Sequence, residues 1–223
     1  MSKFTVEQIN KLNKDLKTPQ EVLKWTIDNL HPKIAMASSF GAEDVAVIDM
    51  MMKINPKARI FTLDTGRLNQ ETYDVMDEIR NKYNINIEVM FPDQNEVEQM
   101  VCCGIRKVHP LNKMLVTLDG WITGLRNDQT QNRMSAKKIE IDDQHNGIIK
   151  INPIIDWSWE LTWDYIKTNN IPYNKLHDKG YPSIGCEPCT RAIKPGEPLR
   201  AGRWWWETDP EKECGLHADH GTK

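Results

Sequence analysis

An α/β fold, with a parallel sheet covered by helices on both faces and an irregular C-terminal segment, is predicted by three observations. Short apolar runs alternate with helix-length periodic segments between residues 33 and 91. The first two strand candidates end in turns rich in hydroxyls and glycine, and glycine and proline dominate from Gly180 onward. Strands alternating with helices of this length form βαβ units, and such sheets bind ligands beyond the carboxyl ends of their strands.

Two helices open the chain. Thr5-Val6-Glu7-Gln8 and Thr18-Pro19-Gln20-Glu21 each match a capping box, the second with proline at the first helical position. Lys33 to Ser38 is a short strand leading into Ser38-Ser39-Phe40-Gly41, and Ala42 to Ile54 reads as a buried helix. Arg59 to Leu63 is a second strand ending in Asp64-Thr65-Gly66. Asn69 to Tyr83 follows as a helix with Tyr73, Val75, Met76 and Ile79 at apolar positions, and Asn86 to Phe91 is a third strand. Glu96 to Cys103 is expected to be helical and Gly120 to Leu125 another strand. Ile139 to Ile141 and Ile148 to Ile151 are expected to form a hairpin around Asn146-Gly147. Trp159, Trp163 and Ile166 recur at helical spacing, a pattern that favours core over a cofactor platform. No repeat or long flexible linker divides the 223 residues, so one domain is expected over 1–223, with about 207–223 as a mobile tail.

A hydrophobic content of 39% allows one sizeable core. The net charge of −3 gives no general attraction to nucleic acid or anionic membrane, so an anionic ligand must meet a local basic cluster. Arg106 and Lys107, Arg126 and Arg133, and then Arg191, Lys194, Arg200 and Arg203 form such clusters. The opening Met1-Ser2-Lys3-Phe4-Thr5 has no apolar run behind it, and the longest apolar stretch, Val45 to Met52, is interrupted by Asp49. With an odd count of five cysteines, these features lead to the expectation of a soluble cytoplasmic protein without a structural disulfide set.

The cysteines fall into an adjacent pair, Cys102 and Cys103, a Cys186-Glu187-Pro188-Cys189 motif, and a solitary Cys214. One tetrahedral zinc, with Zn–S of about 2.3 Å, draws its sulfurs to roughly 3.7 Å apart, which neighbouring residues with diverging side chains meet awkwardly. A cubane cluster is wider and its cysteines bind different irons, so the adjacent pair can each reach a corner while the CxxC supplies the rest. The spacing leans toward iron–sulfur; zinc and a thioredoxin-like redox pair are the alternatives. Cys214 stands in Glu213-Cys214-Gly215-Leu216-His217. A nucleophilic thiol needs exposure and a lowered pKa, which His217 and arginines would favour and Glu213 oppose; a spare surface thiol is the competing reading. Ser38 to Asp44 joins a strand to a helix and would offer backbone N–H groups to a phosphate, or simply be a well-capped helix start; no Walker A lysine follows.

Taken in order, Ser38-Ser39-Phe40-Gly41-Ala42-Glu43-Asp44, Leu63-Asp64-Thr65-Gly66, Cys102-Cys103, Gly124-Leu125-Arg126 with Asp128-Gln129, Cys186-x-x-Cys189, Arg200-Ala201-Gly202-Arg203-Trp204-Trp205-Trp206-Glu207 and the Cys214 motif resemble the assimilatory sulfonucleotide reductases. They look most like the iron–sulfur branch, the adenylyl-sulfate (APS) reductases. The tail motif and tryptophan run are the specific signals; the serine loop is shared with ATP-pyrophosphatase-type enzymes.

The resemblance implies an adenine nucleotide α-hydrolase-like fold and a [4Fe-4S] cluster on Cys102, Cys103, Cys186 and Cys189. It further implies reduction of APS to sulfite and AMP, in sulfate assimilation and cysteine biosynthesis. Cys214 would be the nucleophile, forming an S-sulfocysteine that thioredoxin or a glutaredoxin-like dithiol resolves from outside, and His217 would orient the sulfate. Ser38, Ser39, Phe40, Gly41, Leu63, Thr65 and Gly66 would hold the nucleotide; Arg126, Arg200 and Arg203 would neutralise phosphate and sulfate, and Lys107 would link cluster and substrate. Asn127, where relatives carry a second arginine, and Glu197-Pro198-Leu199 depart from the pattern, and the first removes a positive charge that a 3′-phosphorylated substrate would call for; the same reaction on that substrate, PAPS, is the alternative. An ATP-pyrophosphatase-type adenylating enzyme and a zinc-stabilised redox sensor are the readings from other classes. No nucleic acid or membrane partner is expected, and homo-oligomerisation stays open.

Overall fold

The computed structural model describes residues 3–93 and 102–207. Both opening helices form where the capping boxes place them. Thr5 and Gln8 close the start of α1 (Val6–Asp15), and Thr18 and Glu21 that of α2 (Pro19–Leu30). Next come β1 (Ile34–Ala37), α3 (Ala42–Ile54), β2 (Arg59–Leu63), α4 (Gln70–Tyr83) and β3 (Glu88–Met90). A π-helical turn, Gly104–Val108, runs into α5 (His109–Leu115), followed by β4 (Gly120–Ile122), β5 (Ile139–Asp142), β6 (Ile148–Ile151) and α6 (Trp159–Thr168).

The six strands form one sheet in the order β3-β2-β1-β4-β6-β5, parallel except for the antiparallel edge pair β5 and β6. The expected hairpin is present, but a 3₁₀ turn at Asp143–His145 lengthens its loop before Asn146 and Gly147 adopt positive φ of 61° and 71°. The expected strand through Leu125 ends at Ile122, because Thr123 to Arg126 leave the sheet to build a cleft wall. Of the expected Glu96 to Cys103 helix, Cys102 and Cys103 are helical and lead into the π-helical turn; residues 96–101 lie outside the described residues.

Alternation along the strands sorts side chains onto two unequal cores. Ile34, Met36, Ile60 and Ile122 face a large core with α1 to α4 and α6, whereas Ala35, Phe61 and Trp121 face a smaller one closed by Leu111, Met114 and Leu115 of α5. Each fully buried side chain of this size contributes about 1.5–3 kcal/mol. Helix α3 is buried on nearly every side, as its continuous apolar sequence predicts, and it carries two acids inward. Asp49 is satisfied there by the Tyr83 hydroxyl at 2.8 Å, the Tyr165 hydroxyl at 2.7 Å and Lys53 Nζ at 2.7 Å. The other, Asp44, belongs to the cleft.

Candidate nucleotide cleft and cysteine site

The chain leaves β1 toward β2 on one side and β4 toward β6 on the other, so the gap beyond the carboxyl ends of β1 and β4 is a topological switch point. Ser38 to Gly41 form one lip. Phe40 adopts a left-handed φ of 57°, uncommon for a bulky residue, and its ring is buried in the core while its N–H donates to Ser38 Oγ at 3.1 Å. That turn points Ser39 back toward α3, where both its N–H (2.5 Å) and its hydroxyl (2.8 Å) donate to Asp44 Oδ2. Burial pushes the Asp44 carboxyl up to about 6, against the pull of those two hydrogen bonds. Gly124, on the opposite lip, sits so close to α3 that a Cβ there would run into the Asp44 carboxylate and come within 3.0 Å of the Glu43 Cβ.

Between the lips lies a cleft of ≈ 370 Å³, a size suited to a small-molecule ligand. Ser38, Ser39, Gly41 and Leu63 line it, as do Lys107, Arg126, Arg200 and Arg203. Its cations differ in what they already hold. Arg126 is 2% exposed and spans Glu43 (3.0 Å) and Asp128, with its guanidinium 5.6 Å from the Trp159 ring centroid. Its charge is therefore balanced before any ligand arrives. Lys107 and Arg203 have no carboxylate partner among the described residues; Arg203 donates instead to Ser183 Oγ and the Ile184 carbonyl, both at 3.3 Å. Arg191, from the same basic run, grips Glu197 at 2.8 and 3.1 Å, which holds that carboxyl down at about 2 with help from the Lys194 N–H.

At one end Lys107 and Arg203 also line a second, small gap, whose other walls are Cys102, Cys103, Cys186, Cys189, Arg106 and Trp204. Among the described residues none of the four is in a disulfide. The π-helical turn after Cys103 and the 3₁₀ turn Glu187–Cys189 carry the two pairs to this gap. Glu187 N–H donates to the Arg67 carbonyl at 2.7 Å, and the Thr65 hydroxyl lies 3.2 Å from Cys186 Sγ. Burial pushes the Cys189 thiol up; Cys186 and Cys102 add to this, and Lys107 and Arg203 oppose it. Among the described residues no group of three or more His, Cys, Asp or Glu side chains is arranged to hold a metal ion. Four soft thiol donors around one gap suit the donor chemistry of an iron–sulfur cluster.

Three expected nucleotide contacts stand elsewhere. Phe40 shapes the loop from within the core, and Thr65 and Gly66 face the cysteine side, where Arg106 Nη1 donates to the Thr65 carbonyl at 2.6 Å. Trp159 packs against the core, as expected, and also lines the cleft. Cys214 and His217 lie outside the described residues, as does the expected tail apart from Glu207. The sequence reading missed Ser183 and His177 as cleft residues. Ser183 is signalled by its place just before the CxxC, but His177 has no motif around it.

A phosphoadenosine phosphosulfate reductase domain matches residues 33–192, which holds both the serine loop and the four cysteines. The chain belongs to that family. Proteins named adenosine 5′-phosphosulfate reductase from Burkholderia cepacia and Pseudomonas aeruginosa are 43% and 41% identical to it; the matches cover 88% and 91% of this chain and 85% and 83% of theirs. A phosphoadenylyl-sulfate (PAPS) reductase from Candida auris, solved as a phosphate complex, superposes with a TM-score of 0.74 at 27% identity, over 86% of this chain and all of that one. The phosphoadenosine phosphosulfate reductase family thus supplies the sheet, and the expected adenine nucleotide α-hydrolase-like fold holds with one refinement, the antiparallel edge strand.

Proposed function

We propose that this chain reduces adenosine 5′-phosphosulfate to sulfite and AMP. The observation that carries this reading is the placement of Lys107 and Arg203, which line both the switch-point cleft and the four-cysteine gap and have no acidic partner among the described residues. An anionic phosphosulfate is accommodated there, at the cysteine end; the nucleoside then lies toward the Ser38–Gly41 loop, where Arg126 is already neutralised. The names of the relatives from Burkholderia cepacia and Pseudomonas aeruginosa support the same substrate.

The chemistry follows from a thiolate meeting a sulfur with a good leaving group. Cys214 thiolate attacks the terminal sulfur, a sulfur–sulfur bond forms, and the sulfur–oxygen bond to the phosphate breaks to expel AMP. Lys107, Arg200 and Arg203 offset the charge that builds on the departing phosphate, and His217 orients the sulfo group. An external dithiol protein such as thioredoxin attacks Cys214 Sγ and releases sulfite. Its second thiol resolves the mixed disulfide, so the dithiol supplies both electrons and Cys214 is regenerated. Cys102, Cys103, Cys186 and Cys189 would hold a [4Fe-4S] cluster. Once bound, it would fix the CxxC turn against the cleft and add a charged group beside Lys107.

PAPS carries one more phosphate, and the charge balance around Arg126 disfavours it at the nucleoside end. Incubation of the protein with APS alone, followed by intact-mass and peptide analysis, is expected to show one sulfo adduct on Cys214. An adduct elsewhere, or none while sulfite forms on adding thioredoxin, would remove the covalent step. Faster sulfite release from PAPS than from APS would reverse the substrate preference.

A further inference from the structure

His177 sits in the 3₁₀ turn Lys175–Lys179 and lines the cleft wall across from the serine loop. Its ring packs edge-on against two indoles, with centroids 5.1 Å from Trp163 and 6.0 Å from Trp159. Both ring nitrogens are fully buried and, among the described residues, neither has a hydrogen-bond partner of good geometry, the Tyr181 backbone offering only a loose one. Burial lowers the ring's pKa, outweighing the nearby Glu43 carboxylate, the loose hydrogen bond with the Tyr181 backbone and Asp178, all of which favour the charged ring. The ring is neutral at physiological pH, with one donor and one acceptor.

A buried imidazole that makes no well-formed hydrogen bond, and leaves at least one ring nitrogen unmatched, costs free energy that apolar packing against tryptophan does not return. An aromatic hydrocarbon would fill the same space without that cost. The polar edge makes sense if it is completed by something entering the cleft. Phosphate is a poor candidate for that role, because Glu43 stands nearby and the cations without acidic partners cluster at the cysteine end. We propose that His177 is a specificity-determining residue. Its neutral ring hydrogen-bonds an uncharged polar group of the bound nucleoside, a ribose hydroxyl or the base edge, while the phosphosulfate lies at the far end of the cleft. This assignment rests on the adenine-nucleotide reading above.

The test compares binding of AMP and of inorganic pyrophosphate to wild-type protein, His177→Phe and His177→Asn, by titration calorimetry on the metal-loaded full chain. His177→Phe keeps the packing against Trp159 and Trp163 and is expected to weaken AMP about tenfold. Pyrophosphate binding should stay unchanged, and His177→Asn should recover part of the loss. Three AMP analogues, lacking the 2′-hydroxyl, the 3′-hydroxyl or the 6-amino group, then locate the contact. The analogue missing the partner should bind wild type and His177→Phe equally. Equal AMP affinity in wild type and His177→Phe overturns this assignment alone, and so does a parallel loss for pyrophosphate. Wild-type protein that binds neither AMP nor APS overturns the nucleotide reading and this assignment with it.

Discussion

Among single residues, Asp44 decides how the Ser38–Gly41 loop is held. It accepts two hydrogen bonds from Ser39 yet lies in a place dry enough to lift its carboxyl to about 6. An unfolded aspartate titrates near 3.8, so between pH 3.8 and about 6 the folded chain keeps a proton that the unfolded chain has released. Its contribution to stability is whole below that window, falls as pH rises through it, and is then level; the total change is on the order of 3 kcal/mol. Asp142 moves the other way, its carboxyl lowered by the His145 and Trp121 hydrogen bonds in spite of burial, so the useful quantity is a difference between variants. Asp44→Asn keeps an acceptor for Ser39 and does not titrate. Urea unfolding at intervals from pH 4.5 to 7.5 is expected to show Asp44→Asn gaining on wild type as pH rises. A constant offset between the two would mean that Asp44 is hydrated and ordinary. Of this residue's two roles, the sequence displayed one: Asp44 in the first turn favours the α3 dipole, but its burial depends on Gly124, 80 positions later, pressing against it.

At the level of elements, the sheet's centre depends on how closely β4 approaches its neighbours. A Cβ on Gly120 would come 2.7 Å from the Ile149 carbonyl oxygen and 3.0 Å from Ile34 Cδ1, and the nearer of these is backbone that cannot step aside. Gly41, by contrast, would meet Ser39 Oγ and Glu43 Oε2 at ordinary distances of 3.6 and 3.7 Å, with φ of −69°. Gly120→Ala is expected to cost about 1–3 kcal/mol in urea unfolding, while Gly41→Ala changes stability by less than about 1 kcal/mol. Equal losses would mean that β4 and β6 are less tightly joined than their register indicates. The elements themselves were largely legible. Strong local signals gave α1, α2, α3, α4 and the βαβ order, because capping boxes and period-2 or period-3.6 patterns are written in neighbouring residues. The antiparallel β5–β6 edge was also written locally, in Asn146-Gly147, whereas the π-helical turn at Gly104–Val108 and the continuation through α5 had no such signal. Trp159 packs against the core as its spacing predicts, but that it also lines the cleft needed the fold: helical spacing shows that a face is covered, not everything that borders it.

Across the whole molecule, the contrast is between a sheet that holds itself together and a C-terminal segment that does not. The four cysteines could be grouped from spacing alone, but their position beside Lys107 and Arg203, at the end of the nucleotide cleft, needed the fold. Between residues 180 and 207 the buried apolar side chains are Cys186 and Trp204, against the continuous core beneath β1, β2 and β4. What joins this segment to the rest is a handful of hydrogen bonds, among them Glu187 N–H to the Arg67 carbonyl at 2.7 Å and Asn69 Nδ2 to the Gly185 carbonyl at 3.3 Å. Internally, Arg191 N–H reaches the Gly202 carbonyl at 2.9 Å and Trp204 N–H the Cys189 carbonyl at 3.2 Å. Segments so poor in apolar burial stay ordered when a metal or covalent staple supplies the missing free energy. The proposed cluster on Cys102, Cys103, Cys186 and Cys189 would be such a staple, and its loss should be felt unevenly. After anaerobic chelation, amide hydrogen exchange is expected to accelerate by at least about tenfold in residues 185–206. Over the same treatment β1, β2 and β4 keep their protection, and Cys186→Ser reproduces the pattern without chelator. Uniform loss of protection through the sheet would place the staple's contribution in the global fold, and no change in either region would remove the cysteine quartet from any metal-holding role.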